Sequence, residues 1–423
     1  MTYKGLKKRM DEKAILVGCL LPHQHEREVE SSLHELSLLA ETAQAQAVST
    51  VIQKRERVDP AYYIGKGKVL EVDELVENHE ADLVIFNDEL SPSQVNNLER
   101  LLPCKVIDRT QLILDIFALR ARSKEGKLQV ELAQLNYLLP RIVGKGTELS
   151  RLGGGIGTRG PGETKLEMDR RHIRRRIRDI KHELDKIVAH RGRYRARRKK
   201  RDLFQVALVG YTNAGKSTLL NQLTQAEAYT ENQLFATLDP LTKQMRLPSG
   251  YTVLLTDTVG FIRDLPTTLV AAFRSTLEEV READLILHVI DSHDEDHQDQ
   301  IEVVESLLTE LEAGHIPVVR IYNKRDLPPA PDLLVRPEDL YISAFHADDC
   351  RKVRACIETV LKQEMHLHEL LLPASEAHLI PKLRQAGFVE RLDWDDEQEA
   401  YRLHLYLPAH HPLQEKLASY QIR

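Results

Sequence analysis

The chain has 423 residues, of which 42% are hydrophobic and 29% charged, and a formal net charge of −6. That length is too great for one ordinary core and predicts about three domains, and the composition is that of a globular protein, not a fibrous or disordered one. The early apolar run Ala14–Leu21 is too short to span a bilayer and has no small-residue cleavage site after it, so a buried first strand is expected in place of a signal peptide or membrane span. Four cysteines (Cys19, Cys104, Cys350, Cys356) without CxxC spacing predict no disulfide framework and a reducing, cytoplasmic setting.

In chain order, Ala14–Leu21, Ala47–Gln53, Leu83–Phe86 and Lys105–Ile107 read as short strands, with helices over Glu26–Glu41, Lys66–Asn78 and Ser93–Leu101 between them. Such alternation predicts a parallel sheet flanked by helices. A helical pattern from Leu128 to Leu139 leads into a glycine-dense stretch, Gly144–Glu163, that is expected to form a loop. The next segment, Lys165–Arg201, has five lysines and twelve arginines against five acids, so about +12 there leaves about −18 elsewhere. Its apolar positions, Ile173, Ile177, Ile180, Leu184 and Ile187, recur with a helical period. It is expected to pair with the Leu128–Leu139 helix as a two-helix arm with the glycine loop at the tip. A second alternating unit runs from Leu203 to about Met365. Beyond it, "YRLHLYL" supplies a strand to a small αβ appendage. No internal repeat is visible.

The chemistry concentrates in that second unit. A buried strand, Val206–Val209, runs into Gly210-Tyr211-Thr212-Asn213-Ala214-Gly215-Lys216-Ser217-Thr218 and then a helix. Glycines there free backbone N–H groups to face phosphate oxygens, and the helix N-terminus adds positive potential. Lys216 can reach the terminal phosphates and Ser217 can place its hydroxyl on Mg2+. Asn323-Lys324-Arg325-Asp326, after the apolar strand Ile316–Tyr322, supplies a carboxylate that accepts from guanine N1–H and its exocyclic amine, a donor pair adenine lacks. Ser343-Ala344-Phe345 offers backbone contact to the base edge. Asp257, leaving the run Val253-Leu254-Leu255, sits where a carboxylate holds magnesium through a water. Thr258 and Val259 lead to Gly260, whose N–H would meet the γ-phosphate. Between these, Phe235-Ala236-Thr237-Leu238-Asp239 places Thr237 to put a second hydroxyl on the metal when triphosphate is bound. Lys216, Thr237 and Gly260 are therefore the expected catalytic groups. Where a well-known class of such proteins has a water-orienting glutamine, this chain has Phe261.

These elements in this order, with "YYIGKGKV", "DRTQLILDIFALRA", "RLGGGIGTRGPGET" and "FATLDPLTK" followed by "DTVGFIRDLP", resemble the HflX family of ribosome-associated, translation-factor-class GTPases, from about residue 14 to about residue 345. The resemblance implies an α/β protein in four parts. These are an N-terminal αβ, nucleotide-binding-like domain (1–120), a helical arm (121–200) carrying the loop 144–163, a mostly parallel P-loop GTPase domain (201–365), and a small αβ C-terminal domain (366–423). It implies GTP hydrolysis on the large ribosomal subunit, separation of stalled ribosomes, and an apolar residue at Phe261. Slow intrinsic hydrolysis that the ribosome accelerates is then expected. Asn213 resembles the P-loop asparagine of potassium-dependent relatives, so K+ is an expected second cofactor. A monomer without a membrane span, cytoplasmic and able to associate peripherally with membrane, is expected.

Arg151, Gly153, Gly154, Gly155 and Arg159 of the loop, with Arg174, Arg175 and Arg176 of the basic helix, are expected to approach ribosomal RNA phosphates. Only Tyr194 could stack on a base there, so base reading is not expected. The bland alternative is that these arginines pair with acids of the N-terminal domain. "GIGTRG", Gly155–Gly160, fits a dinucleotide pattern but lacks the strand that pattern needs before it. "HDEDH", His293–His297, follows a strand end and opens a helix, where acids are favoured by the dipole without any metal. Two rival functions remain open at this level: an RNA-dependent ATPase or helicase, and a ribosome-silencing factor that uses nucleotide only as a switch.

Overall fold

The computed structural model describes residues 12–142, 161–199, 203–224, 234–263, 279–408 and 413–422. The chain forms two compact units: Met1–Ile187 with Asn232–Asp239 and Arg263–Arg274, and Val188–Glu231 with Pro240–Ile262 and Ser275–Arg423.

The first unit opens with β1 (Glu12–Leu20), α1 (Glu26–Thr42), β2 (Ala45–Lys54), α2 (Lys66–His79), β3 (Leu83–Phe86), α3 (Pro92–Glu99) and β4 (Lys105–Asp108). The strands are parallel in the order β2-β1-β3-β4. Ala14 to Val17 in β1 are fully buried, as an apolar run covered by helices on both faces must be. Helix α1 presents Val29, Leu33, Leu36 and Ala40 at helical spacing to the sheet side. Ser91 and Gln94 form a capping box that starts α3 at Pro92.

Two helices follow: α4 (Arg109–Arg120), capped by Asp108, and α5 (Lys124–Arg141), capped by Ser123. Sequence patterning gave no helix over 109–120. The reason is burial: Leu112, Ile113, Leu114, Ile116 and Phe117 are all interior, so the polar face that makes a helical period visible is narrow. The basic helix α6 (Pro161–Lys199) starts inside the expected loop, because proline's fixed φ suits a first helical turn. Lys124 pairs with Glu183 at 3.1 Å and Glu131 with Arg176 at 2.6 Å. Seven residues forward on α5 match seven backward on α6, so the helices run antiparallel, with Ile177 and Ile180 buried.

The second unit contains β5 (Gln205–Gly210), α7 (Lys216–Thr224), β6 (Leu241–Arg246), β7 (Thr252–Asp257), β8 (Leu285–Asp291), α8 (His297–Glu310), β9 (Val318–Asn323), β10 (Leu340–Tyr341) and α9 (Ala347–Gln363). Its sheet order is β10-β9-β8-β5-β7-β6, parallel except that β6 runs antiparallel to β7. Connections leave β5 toward opposite edges, so a crevice opens at its carboxyl end, the usual place for a ligand in such sheets.

An antiparallel sheet, β11-β13-β12, closes the chain: β11 (Met365–Pro373), α10 (Ile380–Ala386), β12 (Phe388–Asp395), β13 (Ala400–Pro408) and α11 (Leu413–Leu417). Alternate leucines, Leu370, Leu372, Leu403, Leu405 and Leu407, make its buried face. Phe388 instead packs into the core of the larger sheet, its ring 4.7 Å from that of Tyr251. No helix among the described residues is long and apolar enough to cross a membrane.

Candidate active site

The turn after β5 is shaped by its backbone. Gly215 holds φ +97, and a Cβ there would lie 2.3 Å from Asn323 Nδ2. Asn213 takes the left-handed conformation at φ 61, which asparagine tolerates better than most residues. Lys216 is buried, and its ammonium donates to the carbonyls of Gly210 (3.1 Å) and Tyr211 (2.7 Å). Burial lowers its pKa to about 8, against the opposing pull of Asp257. His288, on the adjacent β8, is buried and pushed down to about 3 by desolvation and by the cations Arg320 and Lys216, so it is neutral.

At the end of β7, Asp257 is fully buried, and Ser217 Oγ donates to its Oδ2 at 2.7 Å. Thr258 Oγ1 donates to Leu208 O at 2.7 Å, which ties this exit to β5. Two further bonds stitch it along the turn: Thr212 N donates to Phe261 O at 2.8 Å and Phe261 N to Gly210 O at 3.1 Å. A Cβ at Gly260 would meet Thr212 Cγ2 at 2.8 Å and Lys216 Nζ at 3.1 Å. The Phe261 ring is buried. Among the described residues of this exit, Phe261 offers only backbone groups, because its ring can neither donate nor accept a hydrogen bond.

The hydroxyl of Ser217 and the carboxylate of Asp257 fit magnesium, which takes hard oxygen ligands. Ser217 would bind directly and Asp257 through a water, and the ion would neutralise charge on the phosphates. Residues 234–239 belong to the first unit. There Phe235, held at φ 54 and 2% exposed, packs edge-on to Phe117 at 4.6 Å, and Leu238 is buried. The Asp239 carboxylate accepts from the amides of Arg122 (3.0 Å) and Ser123 (2.7 Å). Phe235 and Asp239, expected beside the nucleotide, thus have their side chains engaged on the first unit; Ala236 and Thr237 between them are half-buried.

The base-side loops form one bonded cluster. Asn323 Nδ2 donates to Ala214 O at 2.9 Å, and Ala344 N donates to Asn323 Oδ1 at 3.0 Å. Lys324, at φ 64, reaches Asp291 at 2.6 Å. Asp326 is exposed, accepts from Ser343 Oγ at 2.5 Å, and is held below the usual carboxylate range chiefly by that bond, so it is ionised and able to accept. Arg325 turns away to Asp349 at 2.8 Å, and Phe345 is 71% exposed. Sequence reasoning missed Asp349 and Asp291; their only signals are an acid in a helix's first turn and one at a strand end.

Elsewhere the expected residues are scattered. Arg174 and Arg175 are exposed, whereas Arg176 makes two bonds to Glu131, at 2.6 and 2.8 Å. Arg151, Gly153, Gly154, Gly155 and Arg159 lie outside the described residues. His293 Nδ1 is 2.7 Å from Pro328 O and His297 Nδ1 3.0 Å from Asp294 O, each ring bonded locally.

Three family models match in succession: "GTP-binding GTPase N-terminal" over residues 30–118, "GTP-binding GTPase Middle Region" over 120–198, and "50S ribosome-binding GTPase" over 205–324. GTPase HflX of Alkalihalophilus pseudofirmus is 54% identical over 94% of both chains. That of Caldanaerobacter subterraneus subsp. tengcongensis is 52% identical over 92% of this chain and 90% of its own. That of Escherichia coli is 43% identical over 94% of each. Likeness of that extent, running through both units and around a site built for a nucleoside triphosphate, places this chain in the HflX family of GTPases, as a GTP hydrolase.

Proposed function

We propose that this GTPase acts on the large ribosomal subunit and its RNA in the cytoplasm, separating or rescuing stalled ribosomes, with a monomer as the working form. The match of residues 205–324 to a 50S ribosome-binding GTPase model carries the proposal. The exposed arginines of α6 supply the charge that RNA contact needs. In this reading residues 1–120, 121–200, 201–365 and 366–423 are the four working parts, and the arm approaches RNA.

GTP sits with its phosphates on residues 210–218 and its base against Asp326, between Lys324 and the Ser343–Phe345 loop. Magnesium would be held by Ser217 and Thr237, with Asp257 acting through a water, to neutralise phosphate charge, and Gly260 N–H would meet the γ-phosphate. Asn213 adds a potassium ion beside the phosphates. Phe261 makes unassisted hydrolysis slow, so the ribosome must complete the site, as arginine fingers do for other GTPases. A factor that stays bound until its target triggers hydrolysis follows from that geometry.

The test compares GTP turnover with and without purified large subunits. A rise of at least tenfold is expected. Equal rates would overturn the ribosomal reading, and turnover of ATP in place of GTP would favour an RNA-dependent ATPase.

A further inference from the structure

The segment that carries Thr237 is fastened to the first unit at several points. Leu234 N donates to Thr42 Oγ1 of α1 at 3.3 Å. Phe235 is held in a left-handed conformation that a bulky residue adopts only when its surroundings fix it, and its ring is buried on Phe117 of α4. The tightest attachment is Asp239. Its Oδ2 takes the amides of Arg122 and Ser123, and its Oδ1 takes the Ser123 hydroxyl. Ser123 Oγ in turn accepts from Gly126 N at 2.8 Å and caps α5. A carboxylate at a helix N-terminus is further favoured by the dipole. Gly126 completes the fit, since a Cβ there would stand 2.4 Å from Asp239 Oδ1. Past Phe261, Arg263 makes a parallel attachment: its carbonyl accepts from Arg109 Nη2 at 3.3 Å and its Nη1 donates to Ser31 Oγ at 3.1 Å.

We infer that Asp239 is a positioning residue, whose carboxylate clamps the first turn of α5 so that the segment bearing Thr237 and the helical arm move as one body when the nucleotide changes. The inference rests on the reading of Thr237 as the hydroxyl drawn to the metal with GTP. Thr237 is two residues from the clamp, so its displacement cannot be absorbed by slack chain. The arm helix begins at the clamp, and α5 is bonded to α6 through Lys124 at its first residue and through Glu131 two helical turns further along. Nucleotide state then reaches the basic helix through the Asp239 contact, the tightest of these attachments.

The experiment uses the full chain with GDP and with a non-hydrolysable GTP analogue. Small-angle scattering reads the disposition of the arm, and amide exchange reads the clamp. Wild type is expected to scatter differently with the two nucleotides. Gly126→Ala and Asp239→Ala should each lose that difference and exchange the Arg122 and Ser123 amides about tenfold faster, as loss of a charge-assisted bond implies. Gly126→Ala is the sharper probe. Its Cβ would push the Asp239 carboxylate off the helix end, so a merely structural role predicts a lower melting temperature with the scattering difference kept. Wild-type scattering that ignores the nucleotide, or clamp variants that keep the difference, would overturn the inference. Thr237→Ala separates the two ideas: if it keeps the difference while the clamp variants lose it, the reading of Thr237 fails and the clamp stands.

Discussion

The carboxylate of Asp349 joins the two loops expected to read the base: Ser343 N donates to its Oδ2 at 2.9 Å, and Arg325 lies 2.8 Å from the same oxygen. Lys352 meets the other oxygen at 3.1 Å. Asp349 is fully buried, and although burial pushes its pKa up, these donors hold it below the usual range. Replacing it by alanine leaves a buried amide and a guanidinium without their acceptor, at a cost of about 1–3 kcal/mol. Asp349→Ala is therefore expected to weaken GTP binding roughly tenfold, while turnover at saturating GTP stays near wild type. Fluorescent-nucleotide titration checks the first quantity and steady-state kinetics the second. A fall in kcat with an unchanged KM would mean that Asp349 acts on the phosphate side.

Asp326 should carry base selectivity. Asparagine there loses the acceptor for guanine N1–H and the exocyclic amine but can donate to the C2 oxygen of xanthine. Asp326→Asn is expected to weaken GTP binding by a hundredfold or so, since one bidentate charged pair is worth about 2–3 kcal/mol, and to accept XTP. Wild-type GTP affinity in that variant would show that the base lies elsewhere.

The strongest of these features were legible because local sequence dictates them. The turn from Gly210 to Ser217 needs glycine, lysine and hydroxyl at fixed offsets after a strand, and β5 and α7 stand where that pattern put them. The alternation of β1 to β4 with helices was equally open to inspection. Helix α4 was not, because a helix buried nearly all round loses its amphipathic signature. The Asp239 clamp was invisible for another reason: Asp239 meets Ser123 across 116 residues, and no local pattern reports a partner that distant. The same limit applies to Arg176. Its place in an arginine run suggested contact with RNA phosphates, yet the facing helix supplies Glu131.

Lys216 predicts a pH dependence. Burial lowers its pKa from 10.5 to about 8 in the free protein, so above that value a growing share of molecules has a neutral amine at the phosphate site. Bound phosphate restores the charged form, so binding takes up a proton above pH 8. Apparent GTP affinity is expected to hold steady up to about pH 8 and then fall, approaching tenfold per pH unit. His288 stays neutral throughout and adds no charge. Calorimetric titration at pH 7 and 9, in buffers of different ionisation enthalpy, reads both the affinity and the proton. Identical affinities and no proton uptake at pH 9 would refute the assignment.

Asn213 sits at φ 61 in the turn, and its side chain is exposed. A carbonyl oxygen presented beside the phosphates can ligate a monovalent cation where no arginine is available. Hydrolysis is expected to run several-fold faster in potassium than in sodium at equal ionic strength, and Asn213→Ala should lose that dependence. Equal rates in both salts for the wild type would remove potassium from the mechanism.

The arm separates two roles that the sequence could not. Arg174 and Arg175 are exposed, whereas Arg176 is paired with Glu131 in a bidentate contact about 40% exposed on each side. Each phosphate neutralised releases counterion, so replacing Arg174 and Arg175 by glutamine should weaken binding to the large subunit and flatten its salt dependence by up to about two phosphate equivalents. Arg176→Gln should leave the salt slope alone and cost the helical hairpin less than about 1 kcal/mol, as solvent-screened pairs do. Sedimentation of subunit complexes at several potassium concentrations gives the slope, and thermal melting of the free protein gives the stability. An unchanged slope for the Arg174/Arg175 variant would remove RNA contact from this face of α6. A flattened slope for Arg176→Gln alone would mean that the Glu131 pair opens on the ribosome, because a guanidinium still bonded to a carboxylate has no counterion to release.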